Sequence, residues 1–332
     1  MAKQQFNFPL ATFIVVAYNQ ENYIREAIEG AFSQTYTPLE IILSDDCSTD
    51  KTFKIMQEMA FMYRGSHLLK VRSTKHNQGT FNHVLECISE AQGDLIILAA
   101  GDDISHPQRT ALIVDKWIQT QSMALYSDFV VINANSEKIL NKINNKPFHN
   151  ELRHWFAQEK NIAFIHGATS AYDKQMFSYL PKSDSAIYSE DVIFSFIINL
   201  KKLKFSHIKK DLVSYRQHEN AISNNASKTH GISDIKELEV KLSKIATSEL
   251  AIVNYINKLY STKDAKYNFL RDKLLSTQRY YTMVKLWIYM STLDRLKYLL
   301  KCRQLREIKF LFPRLFGLNF FAFLKLLILR LK

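Results

Sequence analysis

The sequence lacks the patterns of several common protein classes. Its three cysteines, Cys47, Cys87 and Cys302, are far apart and odd in number, which excludes a disulfide framework or a CxxC metal site and favours a reducing compartment. No GxGxxG and no GxxxxGK[ST] occurs, which excludes a dinucleotide fingerprint and a P-loop. The N-terminal MAKQQFNFPL has no apolar stretch of signal-peptide length, so we expect no export. Without a glycine-rich loop, any phosphate ligand would have to be held through a metal. Without export, the site would face the cytoplasm.

Acidic residues are scarce in only one part of the chain. Residues 1–240 carry 25 lysines and arginines against 27 acidic residues, whereas residues 241–332 carry 19 against five. With 47% apolar and 12% aromatic residues, the 332-residue chain can bury a full core. The uneven charge favours a C-terminal region that meets an anionic surface, rather than a basic groove across the whole fold.

Short apolar runs alternate with helical patterns in the first part of the chain. The runs are 10–17, 39–44, 67–72 and 94–99, with helices predicted over 23–34, 52–63 and 81–91. Such alternation is typical of βαβ units, so we predict a doubly wound, mainly parallel α/β sheet. Further strands are predicted over 123–133, 203–208 and 212–215, and further helices over 232–258 and 267–290.

Polar residues follow each of the first four predicted strands. They are Tyr18 and Asn19, then Asp45 and Asp46, then Asn77 and Gly79, then Asp102 and Asp103. The carboxyl ends of parallel strands lie at one edge of a sheet, where open α/β proteins bind ligands. Two adjacent carboxylates repel there unless they share a cation, for which a hard divalent ion carrying phosphate is the best candidate. A solvated turn before a helix that starts near Pro107 explains the Asp102-Asp103 pair about as well.

Two more polar motifs lie beyond residue 180. Glu190 and Asp191 precede the apolar stretch VIFSFIINL, where they are either reactive carboxylates or first-turn residues stabilised by the helix dipole. Arg216 and His218 stand two apart, which places both on one face of an extended segment. His218 is a candidate metal contact, although most exposed histidines have no such role.

Five stretches together resemble glycosyltransferase family 2, the inverting nucleotide-sugar transferases with the GT-A fold. They are VVAYNQENYIREAIEGAFSQTY, EIILSDDCSTDKT, NQGTFN, GDLIILAAGDD, and SEDVIF followed by LVSYRQHENAIS, in the family's order over about residues 10–223. The resemblance implies a GT-A catalytic domain over residues 1–225, with a Rossmann-like sheet. Residues 226–332 would form a helical, basic extension for membrane association or oligomerisation.

The resemblance also implies a role for each motif. The nucleotide-binding residues would be Ala17, Tyr18, Asn19, Glu21, Asp45, Asp46, Asn77, Gly79 and Asp102. Asp102, with Asp103 and His218, would bind manganese or magnesium on the diphosphate, and Asp191 matches the general base, with Glu190 beside it. An inverting transfer needs a base for the incoming hydroxyl and a Lewis acid for the leaving diphosphate.

One residue departs from the family pattern at the metal motif. Ala100 stands where the motif usually begins with aspartate. Only Asp102 and Asp103 then remain as carboxylate ligands, so we expect either weaker metal binding or a larger share for His218.

The resemblance stops near residue 225, after which the chain is basic and aromatic. The apolar segment 315–331 is too short and too interrupted for a spanning helix. Arg314, Lys325 and Lys332 would fall on nearly one helical face, which favours an interfacial helix on anionic lipid. The alternative is a helical bundle packed on the catalytic domain or on a second subunit, with solvated basic residues. No nucleic-acid-binding motif accompanies the charge, so we expect no nucleic-acid partner.

The expected protein is a cytoplasmic transferase, peripheral on the inner face of the plasma membrane. It would move a sugar from a nucleotide-diphosphate donor to a surface polysaccharide or lipid-linked oligosaccharide of the capsule, O-antigen or lipopolysaccharide type. A sugar-phosphate nucleotidyltransferase shares the sheet, but its glycine-rich N-terminal loop is missing from this sequence. A non-catalytic nucleotide-sugar-binding assembly protein is the other alternative, and Ala100 keeps it open.

Overall fold

The computed structural model describes residues 8–139, 164–185, 187–218, 232–259, 265–302, 305–317 and 320–321. The chain divides into two compact units, Met1–Asn224 and Asn225–Lys332. Their assignment as a catalytic domain and a membrane or oligomerisation region stays a prediction.

The first unit is built on one sheet. Its strands are β1 (Ala11–Ala17), β2 (Leu39–Asp45), β3 (Leu68–Ser73), β4 (Leu95–Ala100), β5 (Ile104–Ser105), β6 (Ala124–Ile132), β7 (Ser170–Asp173) and β8 (Phe205–Arg216). Their order across the sheet is β3-β2-β1-β4-β7-β6-β8-β5. The strands β1 to β4 pair in parallel, as predicted from the apolar runs.

The second half of the sheet is mixed. The four-residue β7 runs antiparallel to both β4 and β6, and β5 runs antiparallel to β8. The two short strands predicted over 203–208 and 212–215 are one strand, β8. It pairs in parallel with β6 through register shifts on either side of Asp128.

Helices cover both faces of the parallel strands. They are α1 (Ile24–Phe32), α2 (Thr52–Met62), α3 (Thr80–Glu90), α4 (Arg109–Thr120) and α5 (Glu190–Leu200). Alternate residues of β1 point to opposite faces, so Phe13 and Val15 join a core with α1, α2 and α4, while the buried Ile14 faces the other side. The carboxyl ends of β1 and β2 are held level, with Ala17 paired to Asp45.

A buried arginine joins the two halves of the sheet. Arg109 is completely buried, and its guanidinium donates to Leu98 O at 2.7 Å, to Ala168 O at 3.0 Å and to Ser105 Oγ at 2.9 Å. Burial lowers the pKa of Arg109 to about 10, and nearby Asp103 raises it, so the group stays protonated at neutral pH. The contact ties β4 to the 3₁₀ turn Gly167–Thr169.

The second unit is helical, as predicted. Its helices are α6 (Ile232–Leu259), α7 (Ala265–Leu286), α8 (Thr292–Lys301) and α9 (Leu305–Leu311), with a short 3₁₀ turn over Trp287–Tyr289. The predicted helices over 232–258 and 267–290 correspond to α6 and to α7 with that turn. In the described part of the chain, no helix combines the length and the apolar character needed to cross a membrane.

Arg314 is part of the core of this unit, contrary to the expectation that it faces lipid. Its guanidinium carbon lies 3.9 Å from the centre of the Phe310 ring and 4.1 Å from that of Phe321, and it pairs with the buried Glu239 at 2.8 Å. Gly317 has φ +97°, which interrupts the helix expected from residue 315 onwards. Most of the expected interfacial segment, 318–319 and 322–331, lies outside the described residues.

We expect Arg109→Met to lower the free energy of unfolding by about 3 kcal/mol, because each buried acceptor left unpaired costs on the order of 1–3 kcal/mol. Urea unfolding followed by circular dichroism measures the change. Arg109→Lys keeps the charge but has fewer donors, so its free energy of unfolding should lie between those of the wild type and Arg109→Met. The exposed Arg64 provides the control, since Arg64→Met should change stability by about 0.5 kcal/mol or less. Equal stability of the Arg109→Met and Arg64→Met variants would contradict the structural role of Arg109.

Candidate active site

The loops after β1 and β2 are bonded to each other along their length. Asn19 N donates to Ser48 Oγ at 2.8 Å, and Asn19 Oδ1 accepts from Thr49 N at 2.8 Å. Glu21 N donates to Asp50 Oδ2 at 3.1 Å, and Glu21 Oε2 accepts from Lys51 N at 3.0 Å. Asn19 therefore holds two predicted nucleotide-binding loops together, and its φ of 52° marks the tight turn out of β1. Tyr18, at this turn, is 45% exposed and available to a ligand.

Asp45 and Asp46 are adjacent and buried, but their carboxylates have different surroundings. Asp46 Oδ2 accepts from Gly79 N at 3.0 Å, and Asp46 Oδ1 accepts from Gln78 N at 3.0 Å. Asp45 Oδ2 accepts from Ser48 N at 2.9 Å, whereas no donor among the described residues reaches the buried Asp45 Oδ1. Asp46 thus bonds the backbone after β3, while Asp45 keeps one buried oxygen without a donor among the described residues.

The loop after β3 is held at the same edge by Asp46. Asn77 Nδ2 donates to Asp46 O at 3.3 Å, and Gly79 takes φ 76° immediately before α3. Glycine suits that left-handed backbone, since a side chain would be strained there. The predicted residues Asn77 and Gly79 thus lie against the loop that carries Asp45.

Asp102 and His218 meet at the end of β4. Asp102 Oδ2 and His218 Nε2 lie 3.0 Å apart, and both side chains are largely buried. Asp103 has a different partner, since its Oδ1 accepts from Arg216 N at 2.8 Å. Burial raises the pKa of Asp103 well above its ordinary value, and the neighbouring Asp102 charge raises it further. The structure therefore brings together two of the three predicted metal ligands and bonds the third to the backbone of Arg216.

Arg216 organises this corner of the site. Its Nε donates to Asp102 O at 2.8 Å, its Nη1 donates to Ser136 Oγ at 2.9 Å, and its Nη2 pairs with Glu26 at 3.1 Å. The ring of Tyr23 contacts both the Arg216 guanidinium, at 4.9 Å, and the His218 ring, at 4.5 Å. Sequence reasoning noted Arg216 only for its spacing from His218, so its role as the scaffold of the pair, and those of Glu26 and Tyr23, were missed.

The Asp102–His218 pair suits a divalent ion that shares its coordination with a substrate. In this structure Asp102 Oδ2 and His218 Nε2 are hydrogen bonded to each other, and their separation is also close to the roughly 3 Å between neighbouring ligands of an octahedral magnesium ion, each about 2.1 Å from the metal. In the described part of the chain, no three His, Cys, Asp or Glu side chains are grouped to hold one metal ion. Magnesium sites commonly combine one or two protein ligands with substrate phosphates and water. The residues present thus fit an ion that a diphosphate completes.

Glu190 and Asp191 occupy the first turn of α5. Asp191 is 4% exposed, and its Oδ1 accepts from Val192 N at 2.9 Å. A Cβ at Gly167 would come 2.4 Å from Glu190 Oε1, so a larger residue there would have to displace the Glu190 carboxylate. Burial raises the pKa of Tyr172 above its usual range, and the charges of Glu190 and then Asp191 raise it further. Both carboxylates therefore lie beside the Gly167–Thr169 turn, which Arg109 bonds to β4.

The segment that leads into α5 is fastened to α3. Asn82 Nδ2 donates to Ser183 O at 3.0 Å, and Ser183 N donates to Asn82 Oδ1 at 2.8 Å. Phe81 N donates to Ile187 O at 3.0 Å, and Lys182 pairs with Glu86 at 2.8 Å. The loop before α3 is bonded to Asp46, and α3 is bonded to the segment before α5. The end of β2 is therefore connected to the start of α5 through α3. Asn82 was also missed from sequence, because its partner lies about a hundred residues away.

Comparison with known proteins identifies the family. The profile of glycosyl transferase family 2 matches residues 12–180, just over half of the chain. This chain belongs to glycosyl transferase family 2. The putative glycosyltransferase EpsE of Bacillus subtilis is 38% identical over 102 residues, 30% of this chain and 36% of EpsE. Chondroitin synthase of Pasteurella multocida is 27% identical over 144 residues, 43% of this chain and 14% of the synthase. The chain thus spans well under half the length of these relatives.

A solved structure shares the fold of the family-2 chain. The mannosyltransferase PcManGT from Pyrobaculum calidifontis, in complex with GDP-Man and Mn²⁺, has a TM-score of 0.53 at 16% identity. The match covers 98% of this chain and 91% of PcManGT. The predicted fold class, a largely parallel α/β sheet of the GT-A type with a C-terminal helical extension, is confirmed, and so is the family predicted from the motifs.

We expect Asn82→Ala to release the segment before α5 without unfolding the first unit. Loss of the bond from Ser183 N should speed hydrogen exchange of that amide by about tenfold or more, as expected for about 1.4 kcal/mol of local stability. Exchange mass spectrometry over residues 180–189 measures this. Asn254, whose Oδ1 accepts from Gln278 on the exposed surface of α6 and α7, provides the matched control through Asn254→Ala. Unchanged exchange at Ser183 in the Asn82→Ala variant would contradict the fastening role.

Proposed function

We propose that this family-2 chain is an inverting glycosyltransferase that moves a sugar from a nucleotide-diphosphate donor to an acceptor hydroxyl. The observation that carries the proposal is the convergence of three carboxylate groups on one sheet edge. Asp45 ends β2, Asp102 with His218 lies just after β4, and Asp191 lies in the first turn of α5, beside the Gly167–Thr169 turn that Arg109 bonds to β4. One group recognises the nucleotide, one holds the diphosphate, and one accepts the proton.

Asp45 is the proposed contact for the nucleotide base. Its buried Oδ1 has no protein donor among the described residues, and an acceptor left unpaired costs about 1–3 kcal/mol. A base N–H would remove that cost, which favours bases that present one, such as uracil or guanine. Ala17, Tyr18, Asn19 and Glu21 would line the same pocket from the β1 side. Asp46, Asn77 and Gly79 would shape its floor, since Asp46 already bonds the backbone after β3.

Asp191 is the proposed general base. A direct displacement at the anomeric carbon needs one carboxylate to accept the proton of the attacking hydroxyl as the new glycosidic bond forms, and it inverts the configuration. Glu190 would orient the acceptor beside Asp191, because the Gly167 backbone lies against the Glu190 carboxylate.

Asp102 and His218 are the proposed protein ligands of a divalent metal, manganese or magnesium. When bound, such an ion supplies Lewis-acid stabilisation of the charge that builds up on the departing nucleoside diphosphate. Asp103 is proposed as a positioning residue. It accepts from Arg216 N, and the Arg216 side chain in turn donates to Asp102 O. The Mn²⁺ and GDP-Man bound to PcManGT support a divalent ion and a nucleotide-sugar donor for a protein of this fold.

The acceptor is proposed to be a surface polysaccharide or a lipid-linked oligosaccharide. The similarity to chondroitin synthase supports a glycan acceptor, although it spans only part of that protein. The 19 basic residues against five acidic ones in residues 241–332 support contact of the second unit with anionic lipid. We therefore propose a peripheral protein on the cytoplasmic face of the plasma membrane, with or without self-association.

The proposed base is tested by Asp191→Asn. We expect sugar transfer to fall by about 10²- to 10⁴-fold, because an amide cannot accept the proton, while donor affinity stays within about twofold. The assay follows release of nucleoside diphosphate from a panel of uridine, guanosine and thymidine diphosphate sugars, with a lipid-linked acceptor extract. Asp211→Asn, at an exposed aspartate of β8, is the control. Full activity of Asp191→Asn would rule out the base. Donor binding without turnover of any donor by the wild type would favour the non-catalytic alternative.

The proposed metal site is tested by donor binding rather than by turnover. We expect Asp102→Asn and His218→Ala each to weaken calorimetric donor affinity in Mn²⁺ by about tenfold or more, a change of 1.4 kcal/mol. Chelation should weaken the wild type in the same way and leave both variants little changed. His207→Ala is the matched control, because His207 pairs with Asp128 at 2.7 Å elsewhere on the sheet. Donor affinity in Asp102→Asn equal to that of the wild type would exclude the site.

A further inference from the structure

Helix α8 presents its apolar residues outward and buries a charged one. Leu293, Leu296 and Leu300 are 59%, 42% and 79% exposed. Their spacing of three and four residues places them on one side of the helix, which we call the leucine face. On the other side Arg295 is buried, and its guanidinium donates to Trp287 O and Leu315 O, each at 3.1 Å. A surface helix usually buries its apolar side and exposes its charged side, whereas α8 does the reverse. Within the described part of the chain, the leucine face is left largely exposed.

Exposed cations flank the leucine face. Lys297 and Lys301 follow Leu293 at four and eight residues, which places them along one side of the stripe. The acidic residue of α8, Asp294, accepts from Ser291 Oγ at 2.6 Å at the start of the helix. An apolar stripe beside lysines is typical of helices that lie in the interface of an anionic bilayer.

The neighbouring segment adds aromatic side chains to the same unit. Phe312 and Phe316 are 67% and 64% exposed, and Tyr289, just before α8, is 79% exposed. The bond from Arg295 to Leu315 O connects this segment to α8. The ring of Tyr289 carries a polar hydroxyl, which favours the boundary between headgroups and acyl chains, and the two phenylalanines add apolar surface that the acyl boundary can bury.

We propose that the leucine face is the surface by which this chain inserts into an anionic membrane. The leucines enter the acyl boundary, and Lys297 and Lys301 contact lipid phosphates. A second copy would instead bring the same lysines and the same basic excess of residues 241–332 together, which opposes pairing through this face. The inference refines the proposed membrane contact and is independent of the proposed reaction, because its readout is lipid binding by the full chain.

The hydrophobic part is tested by the triple variant Leu293→Ser, Leu296→Ser and Leu300→Ser. In flotation with vesicles of phosphatidylcholine and phosphatidylglycerol, we expect about tenfold or greater loss of binding. The matched control is Phe61→Ser, since Phe61 is 81% exposed in the first unit and should leave binding unchanged. Circular dichroism checks that the triple variant is folded. Donor binding should equal that of the wild type, which separates this inference from the proposed reaction.

The electrostatic part is tested by the double variant Lys297→Glu and Lys301→Glu. We expect vesicle binding to fall by about thirtyfold or more, because the variant replaces two surface cations with anions, and binding of the wild type should weaken with added salt. Wild-type binding should drop on vesicles of phosphatidylcholine alone. No binding of the wild type to anionic vesicles, or wild-type binding by the triple variant, would overturn the proposal. A wild-type dimer that the triple variant converts to a monomer, with vesicle binding retained, would assign the leucine face to a second copy and overturn it as well.

Discussion

The buried guanidinium of Arg216 is the interaction on which the candidate metal corner depends. It is fully withdrawn from water, so its charge is tolerable only because it bonds acceptors on several segments at once. Those acceptors lie after β4, after β6 and on α1, which are far apart in sequence. The same residue fixes the backbone two positions before His218. The geometry of the Asp102–His218 pair is therefore a consequence of how a buried charge is satisfied.

The adjacent aspartates after β2 show how one motif divides its work. The Asp46 carboxylate accepts hydrogen bonds from backbone amides after β3, and these bonds fix where α3 begins. Asp45 keeps one buried oxygen without a donor among the described residues. A rigid backbone next to an unsatisfied acceptor favours ligand binding. The desolvation cost of the acceptor already lowers the stability of the free protein, so the ligand does not add that cost when it binds. Residues that look alike in the motif thus have distinct physical roles.

The local pattern predicted the parallel half of the sheet, and long-range contacts decided the rest. The runs at β1 and β4 are continuous, apolar and bounded by turns, so periodicity was sufficient. The antiparallel β7 is only four residues long, and nothing in its sequence shows that it inserts between β4 and β6. Arg314 was expected at a lipid surface from helical spacing alone, whereas aromatic rings and Glu239 bury it. Charges that find partners dozens of residues away are beyond what spacing can predict.

The replacement of the usual motif aspartate by Ala100 is consistent with this geometry. Ala100 is still within β4 and pairs with Val16, so a small apolar residue continues the strand to the edge. An aspartate there would add a third carboxylate beside Asp102 and the buried Asp103, at a corner where Arg216 already serves Glu26. With fewer carboxylates, less repulsion must be offset in the free protein, and at the proposed metal site more of the ion's coordination would fall to the donor diphosphate. The loss of one ligand would then not abolish such a site but make ion and donor bind together.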